Sequence, residues 1–141
     1  MTSFVVRVRA DGRLDTASRM GRLDIEEEPA MAKYVMIFRG GEPPVAPEQM
    51  QQHMQKWMTW FEGLTRDGIY TGQGAPLEKG GKVVQGSRRT ISDGPFAEAK
   101  DLVGGYAVIE ARDLDAAVEI AKGCPTYDVN GTVEVRPVHP M

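Results

Sequence analysis

Asp93 and His53 are the side chains best suited to moving a proton. Asp93 stands directly before Gly94-Pro95. A carboxylate in that setting forms a turn by accepting bonds from nearby backbone N–H groups, or, at a site, acts as a general base. His53 lies beside an apolar helical stripe, on the same side as Trp60. It reads as an amphipathic filler or as an acid–base group. The second reading needs a carboxylate within hydrogen-bond reach, and Asp93 is the candidate, although spacing along the chain does not show that they meet. Such a pair suits elimination or isomerisation, in which only a proton has to be moved.

Glu134 and Arg136 are two apart in a β-rich segment and so share one face, opposite Val133 and Val135. If the valines face the helices, the charged pair faces the other side of the sheet. Arg136 could hold an anionic substrate there, with Glu134 beside it. The alternative is an ion pair with a neighbouring strand or a second subunit. Arg88-Arg89 reads as a solvated strand edge or an anion contact. Tyr106 sits on a strand that is apolar on both sides and is expected in the core, its hydroxyl reaching a cavity. Cys124, before Pro125 and far from any basic cluster, reads as a small apolar residue rather than a nucleophile. One cysteine rules out an intramolecular disulfide and a thiolate cluster, and two histidines, His53 and His139, argue against an all-protein zinc site unless carboxylates complete it. Gly72-Gln73-Gly74 lacks the third glycine of a dinucleotide fingerprint, and no phosphate loop or nucleophile elbow occurs. No metal or cofactor is expected.

Short elements must hold these groups, because 16 glycines and 9 prolines punctuate the chain. Lys33–Arg39 reads as a strand. Pro47 suits the first turn of a helix, and Met50, Met54, Trp57, Phe61 and Leu64 follow as its apolar stripe. Ile69–Gly72 and Lys82–Gln85 read as short strands, with turns at Gly80-Gly81 and at Asp93-Gly94-Pro95. Leu102–Glu110 is a strand, with Gly104-Gly105 marking a bulge or a close backbone approach. Asp113 is a good N-cap for a second helix, whose stripe is Leu114, Ala117, Val118 and Ala121. Thr132–Val138 is the last strand, and Pro137 puts its end at an edge.

The order is β-α-β…β-α-β, an α+β ferredoxin-like unit. Two helices cover only one face of such a sheet. Yet Lys33–Arg39 and Tyr106–Ile109 are apolar on both faces. Large exposed apolar patches are rare on monomers. A second copy of the sheet is the simplest cover, so a two-fold homodimer is expected.

Residues 1–30 differ in character: five arginines, no lysine and six acids. They lack the apolar core of a secretory signal and are too acidic for a transit peptide. Phe4–Arg9 could form a short strand, but a mobile tail is the expectation. Met31 opens a run, MAKYVMIF, that looks like a natural start. The domain is therefore placed at 31–141. A formal charge of −3 argues against direct nucleic-acid binding. No apolar run approaches the roughly 18 residues of a membrane span, and a cytoplasmic location is expected.

The segment DGPFAEAK (Asp93–Lys100), then Gly104-Gly105-Tyr106, then VEVRP (Val133–Pro137) resembles the YCII-related proteins, and more closely their DGPF-domain branch. The resemblance covers about residues 31–138. It implies a dimeric α+β barrel, in agreement with the two-faced strands. Relatives in the wider family include a dehydrochlorinase of hydroxylated aromatics and proteins with a proposed His–Asp acid–base pair. DGPF members have been linked to transcription initiation, some lying beside genes for extracytoplasmic-function sigma factors. The resemblance therefore implies a small organic ligand handled without a cofactor, or an accessory role beside a sigma factor. It strengthens a site role for Asp93 at the mouth of the barrel. Phe96 would wall that pocket, or anchor its turn in the core.

Overall fold

A computed structural model describes residues 3–8, 14–17, 22–27, 30–95 and 101–140. Two units divide at Ala32 and Lys33. In the first, β1 (Ser3–Val8), β2 (Leu14–Ala17) and β3 (Arg22–Glu27) form a sheet of order β2-β1-β3. β1 runs antiparallel to β2 and parallel to β3. The segment Phe4–Arg9, in which a short strand competes with the expected mobile tail, overlaps β1; β2 and β3 are not expected from the sequence.

The second unit begins with β4 (Ala32–Gly40), followed by α1 (Pro47–Arg66) and β5 (Tyr70–Pro76). A hairpin of β6 (Gly81–Gln85) and β7 (Thr90–Gly94) comes next. Then follow β8 (Val103–Ala111), α2 (Leu114–Ala121), a 3-10 helix (Pro125–Val129) and β9 (Gly131–Pro137). Four strands make the main sheet in the order β5-β8-β4-β9, with β4–β9 and β5–β8 antiparallel. This is a mixed α+β fold with the ferredoxin-like element order. β9 is an edge strand, as Pro137 required.

β4 alternates. Tyr34 and Met36 are buried with Phe38 against the helices, while Val35 and Ile37 lie on the other face, only partly covered. β8 repeats the pattern, with Ala107, Ile109 and Ala111 buried and Tyr106 and Val108 opposite. Val133 and Val135 of β9 pair with Phe38 and Met36 and complete the helix-facing layer. Met36 and Ile109 are wholly enclosed. Each such burial contributes about 1.5–3 kcal/mol.

Helix α1 turns a different face inward from the one its spacing suggests. Met50 and Met54, expected in the core, are exposed; His53, Trp57, Trp60, Phe61 and Leu64 face the sheet. Two apolar arcs overlap on this helix and share Trp57, Phe61 and Leu64. Ring area decides between them, since an aromatic side chain buries about 150–250 Å². Turning Trp60 inward turns the methionines out. Phe38 receives the rings: its centroid lies 5.0 Å from Trp57 and 6.4 Å from Phe61, both edge-on. Phe61 in turn reaches Tyr70 of β5 at 5.1 Å.

Asp113 caps α2 as expected, accepting from the Ala116 N–H at 2.8 Å. Ala117 and Ala121 are buried, but Leu114 and Val118 of the expected stripe are exposed. Ala116 and Ile120 pack beside the core instead. The small alanines let this eight-residue helix lie close to the sheet, and they set the inward face.

The segment around Asp93 differs from expectation. β7 runs through Gly94, so Asp93 is a strand residue opposite Lys82 rather than part of a turn. The hairpin turns at Gly86–Arg89, where both residues have positive φ. Alternation across the Val84–Ile91 pair and the opposed charges of Lys82 and Asp93 favour this pairing. Among the described residues, no helix is long and apolar enough to cross a membrane.

Candidate functional site

His53 is on the second turn of α1, pointing toward the sheet beside Trp57. Its Nε2 accepts a hydrogen bond from the Trp57 indole N–H at 3.0 Å, one helical turn on. A nitrogen that accepts carries no proton, so this bond puts the ring proton on Nδ1. Asp93 is on the β6–β7 hairpin, and its carboxylate accepts from the Lys82 ammonium. Its side chain is 86% exposed. No hydrogen bond joins His53 to Asp93 among the described residues. Each already has a different partner. The space between sheet and helices is filled by Met36, Phe38, Ile109 and the α1 rings.

The structure does bring together the charged pair of β9. Glu134 and Arg136 pair across with Ile37 and Val35, on the face away from the helices. Arg39 Nε donates to Glu134 Oε1 at 3.0 Å, and Arg136 Nε is 4.0 Å from Glu134 Oε2. Arg39 is anchored further by donating to the Asp101 carbonyl at 2.9 Å. Glu134 is thus held chiefly by a neighbouring strand. Arg136 keeps spare donors, its side chain two-thirds exposed. Tyr106 shares this face but is 40% exposed and outside the core in which it was expected. Its β-position sends it away from the helices. Phe96, the proposed pocket wall, lies outside the described residues.

Sheet geometry thus assembles an open face: apolar at Val35, Ile37 and Val108, aromatic at Tyr106, charged along the β9 edge. A family model for the YCII-related domain matches residues 32–141. The chain belongs to the YCII-related family. A search of curated proteins gives no match. In this YCII-related chain the matched region runs from β4 through β9, so His53, Asp93, Tyr106, Glu134 and Arg136 all lie within it. β1–β3 precede it. No group of three or more His, Cys, Asp or Glu side chains among the described residues is arranged to hold a metal ion.

A second concavity of this YCII-related domain was not legible from spacing. It lies between α1 and the turn after α2, lined by Lys56, Thr59, Trp60, Lys122, Tyr127 and Asp128 among others, and holds about 560 Å³. Its partners are more than 60 residues apart in sequence, and only the packing of α1 against the 3-10 helix unites them. Lys56 pairs with Asp128 at 3.1 Å. Lys122 pairs with Glu119 at 2.7 Å, which holds its ammonium above the usual lysine range. Burial likewise raises Tyr127.

Cys124 lines the base of that concavity and is buried. Burial pushes its thiol up to about 12, only partly offset by the Thr126 backbone N–H. The thiol is therefore protonated in the folded protein at neutral pH, in keeping with its reading as a small apolar residue. A disulfide-exchange reagent at pH 8 is expected to label Cys124 only as fast as the protein opens, and at once in urea. The unfolded thiol ionises near 9.0, well below the folded one. Its contribution to stability is thus complete below pH 9 and lost as pH rises toward 12. Cys124→Ala should lessen that alkaline fall in the urea midpoint. Rapid labelling of folded protein would show the thiol to be accessible and ionised.

Proposed function

We propose that the protein is a homodimer whose two copies close their open sheet faces into a dimeric α+β barrel and hold a small organic anion between them. One observation carries this reading: the sheet is apolar front and back, while both helices lie on one side. Val35, Ile37 and Val108 supply the apolar area that a monomer would leave wet. Tyr106 offers a ring and a hydroxyl, and Arg136 a planar cation with donors to spare. Glu134 fixes the register of both arginines. The DGPF segment from Asp93 and the VEVRP ending at Pro137 support placing the chain in the DGPF branch of its family.

The chemistry best suited to such a ligand is elimination or isomerisation without a cofactor, with Asp93 as base. His53 lies on the helix side of the sheet with its Nε2 held by Trp57, so a base at the open face acts without it.

The test is a melting-temperature screen with small organic acids and phenols, run beside light scattering. Wild-type protein is expected as a dimer. A ligand at about a hundred times its Kd adds about 2.7 kcal/mol of stability, a rise of several degrees. Arg136→Ala is expected to remove that rise while leaving the dimer intact. A monomer, or a screen in which no ligand's rise is lost on Arg136→Ala, would overturn the proposed site.

A further inference from the structure

We infer that the cleft between α1 and the α2–3-10 turn is a second binding site, built for an aromatic carboxylate. It is separate from the open sheet face and draws on none of that face's residues.

Its volume, about 560 Å³, falls in the range of small-molecule pockets. Its walls are ordered before any ligand arrives. Trp60 is packed against Phe61 at 5.0 Å and Trp57 at 5.9 Å. Tyr127 is tied down by its hydroxyl, which donates to the Ala121 carbonyl at 2.9 Å. Buried Cys124 and Pro125 form an apolar base. A flat apolar ring suits such walls.

The polar groups around it are mostly donors. Lys56 and Lys122 bring two ammonium groups and Thr59 a hydroxyl. Asp128 is the one acid in the lining and pairs with Lys56; Lys122 pairs with Glu119 outside the lining, and each ammonium keeps further N–H donors for a ligand. The decisive group is the Trp60 indole N–H. Among the described residues it donates to no protein atom, unlike Trp57, whose N–H is spent on His53. Among the described residues no buried polar side-chain atom lacks a partner, so the Trp60 N–H is not sealed in the core. It borders Gly123 in the cleft lining: a Cβ on Gly123 would lie 3.1 Å from Trp60 Nε1. An unpaired N–H beside two ammonium groups and two aromatic side chains matches a carboxylate attached to a ring.

Benzoate is the probe, with neutral benzamide as its isostere. The chain has two tryptophans, hence two indole N–H signals in a proton–nitrogen correlation spectrum. Trp60→Phe keeps the ring packing, removes the donor and assigns the signals. Benzoate is expected to move the Trp60 signal saturably and leave that of Trp57 nearly still, with benzamide binding at least tenfold more weakly. Trp60→Phe should weaken binding about tenfold, the loss of one hydrogen bond to a charged group. Lys122→Gln, a surface change that leaves the fold alone, should weaken it several-fold. Gly123→Val should block the cleft. Arg136→Ala should have no effect, which separates this site from the sheet face. No saturable shift in millimolar benzoate would overturn the inference. So would a shift lost on Arg136→Ala and kept on Lys122→Gln.

Discussion

Ile37→Asp is expected to turn the proposed dimer into folded monomers, while Met36→Asp, one residue earlier, is expected to prevent folding. The two side chains leave β4 on opposite faces. Met36 is fully enclosed by the helix-facing layer, and an aspartate there would be a buried, unpaired charge. Ile37 points to the open face, where a single chain leaves it partly wet, so the monomer tolerates a carboxylate. The proposed dimer does not. In a two-fold interface each substitution occurs twice, and each carboxylate would be taken out of water directly across from Glu134, a like charge. Leaving a buried charge uncompensated costs about 3–5 kcal/mol. Even the lower figure raises the dissociation constant more than a hundredfold. Sedimentation of Ile37→Asp at micromolar concentration should show monomers with wild-type circular dichroism. A variant that still sediments as a dimer would show that copies associate elsewhere, and the ligand space assigned to the open face would lose its lid.

The period of two in β4 and β8 was readable, because alternate residues of a strand must face opposite ways whatever surrounds them. So were the Asp113 cap and the Pro137 edge, which depend on local backbone chemistry. What failed depended on a choice between competing surfaces. Helix α1 has two apolar arcs, and only the ring-shaped recess around Phe38 selects the one with Trp60. That choice also makes His53 a packed partner of Trp57 instead of a free side chain. The hairpin hid for a related reason. Asp93-Gly94-Pro95 has turn chemistry, but Lys82 stands opposite Asp93 once Val84 and Ile91 pair, and cross-strand pairing prevails over local preference. Of the candidate site, the shared face of Glu134 and Arg136 followed from spacing. Arg39 as the main partner of Glu134 did not, because β4 and β9 are the two ends of the domain in sequence. The α1–α2 cleft left no trace in any motif.

Gly74→Ala is expected to destabilise the domain by about 3 kcal/mol, near the upper end for overpacking, and to lower the melting temperature by roughly 10 °C. A Cβ at this position would lie 2.5 Å from the Tyr106 carbonyl oxygen and 2.9 Å from the Ala107 Cα. Both are backbone atoms of the paired strand, so no rotamer change relieves the overlap. β5 has already taken up its slack, since its register against β8 shifts between Tyr70 and Gly74. The chain must instead push β5 away from β8 and lose ladder hydrogen bonds at the sheet edge. Gly80→Ala makes the comparison: nothing lies within 4 Å of a Cβ there, and its midpoint should stay within about 0.5 kcal/mol of wild type. Thermal melts of the two variants separate a steric demand at Gly74 from a general cost of removing glycine. The consequence reaches the open face, because the backbone that Gly74 accommodates is that of Tyr106. A Gly74→Ala protein that folds should carry Tyr106 displaced and bind ligand on that face more weakly. If it melts with wild type, β5 and β8 are paired in another register, and Tyr106 is no longer held on the open face by the pairing with Ala75.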